Sequence, residues 1–87
     1  MGGDPTPELL LSSHAKDMLA ERAIPEDWLW QAITDPDNKW TGDDGNMHYA
    51  KAIREKHGRG LHVVVNVQAY PNRVVTVFFD RRLGKGK

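Results

Sequence analysis

Hydrophobic and polar positions alternate most clearly near the end of the chain, from Leu61 to Phe79. Leu61, Val63, Val65 and Val67 fall on one side of an extended strand, and His62, Val64, Asn66 and Gln68 on the other. A second run of β-branched and aromatic residues, Val74–Phe79, follows Tyr70-Pro71-Asn72-Arg73. Proline presets one backbone angle and asparagine tolerates the left-handed region, so these four residues predict a turn and the two runs a hairpin. The second strand's faces stay open. A two-residue turn at Pro71-Asn72 places Val75, Val77 and Phe79 outward with His62, whereas a turn of odd length exposes Thr76 and Phe78, because a one-residue slip exchanges the faces.

The first half carries the helical period. Ala15, Met18 and Leu19 recur at i, i+3 and i+4, with Arg22 one turn on, which predicts a helix over His14–Arg22 capped by Ser12 or Ser13. Ala23-Ile24 ends it, and Pro25 suits the first position of a second helix whose Glu26 and Asp27 oppose the helix dipole. Trp28, Leu29, Ala32 and Ile33 form the buried stripe of that helix. Trp30 falls off the stripe and either flanks the core or meets a partner. The helix stops by Asp35-Pro36, since the residue before proline avoids the helical region. Residues 37–46 read as a polar loop with one large exception, Trp40. Asp43, Asp44 and Asn46 give it a superficial likeness to a calcium loop, but the glycine position and terminal glutamate of an EF-hand are missing, so no metal is expected. In Met47–Arg54, Met47, Tyr49, Lys51 and Ile53 alternate with His48, Ala50, Ala52 and Arg54, which reads as a strand, and Gly58-Arg59-Gly60 turns the chain into the next one.

The predicted fold class is therefore α+β: two N-terminal helices packed on one face of a three-stranded antiparallel meander, with the other face open. Residues 8–80 make the domain, with a short extended segment at Glu8–Leu11. Residues 1–7 are expected to be a flexible arm and 81–87 a flexible basic tail.

Composition narrows this only a little. Eighty-seven residues allow one small core, and the absence of cysteine excludes disulfides and thiolate metal sites. His14, His48, His57 and His62 form no close ligand pair, so neither a metal nor another cofactor is expected. No signal peptide is read at the start and no run is long enough to span a bilayer, so the expectation is a cytoplasmic protein without a membrane partner. The formal net charge of zero hides a division: residues 1–44 hold three basic against ten acidic side chains, and residues 45–87 nine against two. Such a split suits a polyanion-binding side, and equally an acidic helical layer docked on a basic sheet.

The open face is where chemistry would sit. Cleaving RNA without a metal needs a base for the 2′-hydroxyl, a proton donor for the leaving oxygen and cations for the phosphorane charge. The middle strand offers His62, Asn66 and Gln68 outward, and its neighbour adds either His48 with Arg54 or Tyr49 with Lys51. His14, at the first turn of a helix, is a candidate general base; the structural alternative is that it pins the helix start by a hydrogen bond. His57 reads as plain loop.

The stretch His14-Ala15-Lys16-Asp17-Met18-Leu19-Ala20-Glu21-Arg22-Ala23-Ile24-Pro25-Glu26-Asp27 resembles the opening of the domain of unknown function 4258 family, small and mainly bacterial proteins. Its members begin His-Ala, then Arg-Met, then Glu-Arg-Gly-Ile before an acidic second-helix start. Pro36, Tyr49, Leu61-His62-Val63-Val64 and Val74-Val75-Thr76-Val77 continue the pattern, which spans residues 9–80. Two positions depart from it: Met18 stands where the family carries arginine, and Ala23 where it carries glycine. The family's element order looks like that of RelE and barnase-like toxin nucleases, and that fold-level analogy implies a metal-independent endoribonuclease or an RNA-binding relative. In that reading His14, Arg22 and Tyr49 are the catalytic group, and Lys51, Arg54, His62, Arg81 and Arg82 contact RNA. RNA or the ribosome would be the target, and an acidic antitoxin-like protein would cover the basic half. The rival reading is a non-catalytic protein–protein interaction module using Trp30, Trp40 and the sheet face. The chain would be a monomer, or a homodimer paired through an exposed sheet edge.

Overall fold

The computed structural model describes residues 9–68 and 71–80. The expected arm, the tail with Arg81 and Arg82, and Tyr70 of the predicted turn lie outside the described residues. Helix α1 spans Ser13–Glu21 and α2 spans Glu26–Thr34. The Ser12 hydroxyl accepts the Ala15 N–H at 3.2 Å, satisfying one of the amides that the first helical turn leaves without an intrahelical partner. At the other end the Ile24 N–H reaches the Leu19 carbonyl at 2.8 Å and the Ala23 N–H reaches that of Ala20 at 3.2 Å. These are the paired bonds of a Schellman motif, and they put Ala23 in the left-handed region at φ 55°. Pro25 caps α2 from just outside it, one position earlier than expected. Trp30 is tied within the helix, its indole N–H donating to Glu26 at 2.9 Å, and it packs beside the core.

The sheet corrects the predicted meander. Five strands, β1 (Leu9–Leu10), β2 (Asn38–Thr41), β3 (Met47–Ile53), β4 (Arg59–Asn66) and β5 (Asn72–Asp80), lie in the order β1-β5-β4-β3-β2. The predicted antiparallel core β3-β4-β5 is present. β2 adds antiparallel to β3 out of the supposed loop, and β1 adds parallel to β5, which makes the sheet mixed. β2 carries no burial alternation, all four residues being exposed, so its pattern gave no strand signal. The turn before β4 also lies earlier than expected, in a 3-10 turn at Arg54–Lys56 followed by His57 and Gly58 at positive φ.

Both helices cover one face. Leu29, Ile53, Leu61, Val63, Val65 and Val77 are the largest fully buried side chains, and they join Ala15, Met18 and Leu19 of α1 in one core. The open question of β5 is resolved by a bulge: Val65 pairs with Val74 and Val64 with Thr76, so the register shifts there. Val77 consequently faces the helices, and the Phe78 ring lies over His62 on the other side. Phe79 meets Trp28 edge-on at 6.1 Å on the helix side. β1 reaches only Asn72 and Arg73, so the outer edge of β5 beyond them lacks a strand among the described residues. Arg22 covers part of it by donating to the Val77 carbonyl at 2.7 Å.

A left-handed alanine is strained because its Cβ crowds the following carbonyl, at roughly 1–2 kcal/mol. Replacing Ala23 with the glycine of the family pattern should raise unfolding stability by about 1 kcal/mol, the relief being partly offset by glycine's greater freedom in the unfolded chain. Urea denaturation of Ala23→Gly against the parent checks this, and a loss of stability would contradict the capping geometry.

Candidate functional site

On the face away from the helices, register brings four rings together. Trp40 of β2 pairs with His48 of β3, His48 with Val64 of β4, and His62 lies two residues back along β4 opposite Phe78 of β5. Alternation points all four rings to the same side. The Trp40 and His48 rings stack, 5.2 Å apart and 16° from parallel. Trp40 also lies 5.3 Å from the His62 ring, and Phe78 4.9 Å from it. His62 is only 9% exposed, buried like a core residue although no helix covers it.

Burial of an imidazole costs free energy unless its nitrogens are satisfied. His48 Nδ1 and His62 Nε2 meet at 2.8 Å. Each ring then turns its other nitrogen towards a carboxylate: His48 Nε2 lies 3.5 Å from Asp44, and His62 Nδ1 lies 3.6 Å from Asp80, whose side chain is 12% exposed. The result is a line of carboxylate, imidazole, imidazole and carboxylate drawn from the β2–β3 loop, β3, β4 and the end of β5.

The loop is shaped to reach this line. Gly42 and Asn46 close it through the Gly42 N–H to the Asn46 carbonyl at 2.9 Å, and Asp44 accepts the Asn46 N–H at 2.9 Å in an Asx turn. That backbone bond, helped by the Asn46 side chain and His48, holds the Asp44 carboxyl below its ordinary value. Gly45 takes φ 82°, the left-handed conformation that the turn requires. A Cβ at Gly42 would collide with His48 Nε2, so the backbone lies directly on the imidazole. Thus Asp44 and Asn46 serve the turn and the histidine. Among the described residues, no group of three or more His, Cys, Asp or Glu side chains is arranged to hold a metal ion.

Of the residues assigned from sequence to catalysis or RNA contact, only His62 lies in this cluster. His48 joins it because the register puts His48, and not Tyr49, on the outer side of β3. Tyr49 points to the helix side and is 7% exposed, with Lys39 5.8 Å above its ring; burial pushes its hydroxyl above the ordinary value. It is a core residue here and stands on the opposite face of the sheet from His62. His14 is exposed on α1, while Arg22 is engaged with Val77 and lies 3.6 Å from the Met18 sulfur. Lys51 pairs with Asp35 at 3.4 Å and, with Gln31, Arg54 and Glu55, lines a separate open groove of about 280 Å³. The predicted set is therefore split between α1, the core and this groove. Asp44 and Asp80 were missed as partners of the rings, whereas Trp40 belongs to the protein-binding reading and Phe78 to one of the two faces left open for β5. Trp40 carried the clearest signal, a large ring in an otherwise polar stretch.

Two outcomes follow from the loop geometry. Gly42→Ala should destabilise the domain by about 1–3 kcal/mol through overpacking against the ring, and the penalty should shrink in a His48→Ala background, a coupling that a double-mutant cycle in urea measures. Because the folded-state value of Asp44 lies below its unfolded value, its contribution to stability is complete above the unfolded value and is lost as pH falls through the folded one. Thermal melts taken from neutral pH down through the carboxylate range should show a shallower decline for Asp44→Asn than for the parent.

No curated protein and no solved structure matches the chain. The sequence model of the family described as Domain of unknown function (DUF4258) matches residues 11–79, which include both helices and β2 to β4 and nearly all of β5. That match takes in most of the chain, the rings of the open face included, and the protein belongs to the DUF4258 family.

Proposed function

We propose that this domain acts on RNA, holding an unpaired segment across the sheet face that the helices leave open and cutting it without a metal ion. The observation that carries the reading is the imidazole pair bracketed by Asp44 and Asp80 beneath a partly exposed tryptophan. Trp40 is stacked on His48 on one side and is 38% exposed, which leaves ring surface for a base; stacking tolerates any sequence because every base has a π face. The imidazoles supply groups able to accept and return protons, taking one from the attacking 2′-hydroxyl and giving one to the departing 5′-oxygen. His48 Nε2 is buried, so the 42–46 loop has to lift before it can serve.

This reading transfers the chemistry from His14, Arg22 and Tyr49 to His48 and His62. The supporting cation on that face is the exposed Arg73, paired with Asn66 at the start of β5. RNA in a ribosome is a target of the same chemistry, and the acidic antitoxin-like partner would compete for that cation.

The test is binding and cleavage of mixed-sequence RNA by the purified chain in EDTA. Affinity should fall steeply with salt, through counterion release. Trp40→Ala should weaken binding by about 1–3 kcal/mol, roughly 5- to 150-fold. His48→Ala should stop cleavage while binding persists. Failure of the parent chain to bind RNA at low salt would end the RNA reading and leave the exposed face as a surface for a protein partner.

A further inference from the structure

The line Asp44–His48–His62–Asp80 has a countable number of protons. His48 Nδ1 and His62 Nε2 are 2.8 Å apart, and the ring centroids 5.0 Å apart, close to the greatest separation that distance and the two ring radii allow. The nitrogens therefore meet nearly head-on, in the geometry of a hydrogen bond. A contact this short admits one proton. Two lone pairs would repel across it, and two N–H groups would collide. The outward nitrogens face carboxylates, which favour an N–H on each. Three protons on four ring nitrogens thus put one in the central hydrogen bond and one on each outward nitrogen near its carboxylate, giving the two rings together one positive charge between two negative ones. A fourth proton has no place unless the rings separate.

We infer that His48 and His62 form a single proton-binding site, which accepts one positive charge as a unit, and that a second protonation lifts the 42–46 loop and Trp40 from the sheet. The charged groups facing the pair among the described residues are Asp44 from the loop and Asp80 from β5. β2 contributes the Trp40 ring, with Lys39 turned to Tyr49 on the other side, and β5 also contributes Phe78. Within β3 and β4 the outward neighbours of the pair are Ala50, Gly60 and Val64, none of them charged. The link to the loop is steric: Gly42 has no room for even a methyl group against His48 Nε2, and Trp40 stacks on the same ring. A displaced His48 pushes on both. The inference stands on this geometry and holds whether or not the face binds RNA.

The experiment is a pH titration of the uniformly ¹⁵N-labelled chain by NMR, following the eight histidine ring nitrogens, the Trp40 indole N–H and the Gly42 and Gly45 amides. His48 and His62 should change together, in two separated steps that belong to the pair. The more acidic step should shift the Trp40 and Gly42 signals. In His62→Gln, which keeps a hydrogen-bonding side chain opposite His48, the second step should vanish. In Asp44→Asn it should persist, which separates it from protonation of that carboxyl. Independent single-step curves for the two histidines, still loop signals through the acid step, two steps surviving in His62→Gln, or loss of the step in Asp44→Asn would each overturn the inference. Should His62→Gln fail to fold, the titration of the parent chain decides the matter.

Discussion

An imidazole buried on the uncovered face of a sheet must have its nitrogens satisfied by what the strands themselves bring, and the outer half of this domain is arranged around that need. His62 sits in the middle strand, where Leu61 and Val63 on either side of it are fully buried against the helices. The strand cannot slide to expose it without turning the core outward, since a one-residue slip exchanges the faces. His48 comes to it from β3 and Asp80 from β5, and Asp44 follows His48 from a loop that β2 makes possible. β2 has no buried face of its own, so its place is set by pairing with β3 and by the stacking of Trp40 on His48. One polar requirement thereby fixes a strand that apolar burial would not hold.

That difference explains which parts of the fold could be read in the chain. The alternation over Leu61–Val67 and the i, i+3, i+4 stripe of Ala15, Met18 and Leu19 report burial against a common core, and burial writes itself into sequence as period 2 or 3.6. Both helices and the three central strands emerged from it. β1, two residues long, and β2, exposed throughout, are held by backbone pairing at the sheet edges, which leaves no side-chain period to find. The bulge at Val64/Val65 is a backbone event as well. It put Val77 inward and Phe78 outward, a choice that the alternation of Val74–Phe79 leaves open.

The candidate site was legible to a smaller degree, for a related reason. His62 could be placed on the outer face because its neighbours in sequence fix its parity. His48 and Tyr49 are adjacent in a strand where Met47, Tyr49, Lys51 and Ile53 alternate with smaller residues, and only pairing with β4 decides which set is buried. Asp44 and Asp80 reach the rings from a loop and a strand end, positions without periodicity. Tyr49, a tyrosine in a family-like strand, read as a chemical group; with Val63 paired beside it and burial at 7%, it is a core residue whose hydroxyl stays protonated well into the alkaline range.

The two departures from the family pattern have distinct physical meanings. Ala23 is a local cost, a left-handed residue with a Cβ, held in place by the two backbone bonds that end α1. Met18 changes chemistry. Its side chain is buried between α1 and β5, where Arg22 donates to its sulfur at 3.6 Å and the Thr76 hydroxyl does so at 3.7 Å. A thioether is a weak acceptor and carries no charge, so at position 18 this chain offers no cation of the kind an arginine there would provide. Arg22 is the remaining guanidinium beside it, and its short bond to the Val77 carbonyl commits it to the edge of β5. Neither position 18 nor Arg22 thus offers a cation that is free to meet a phosphate, while the opposite face holds paired imidazoles, two carboxylates and an aromatic ring with exposed surface. The balance of proton-transferring groups lies with the open face of the sheet.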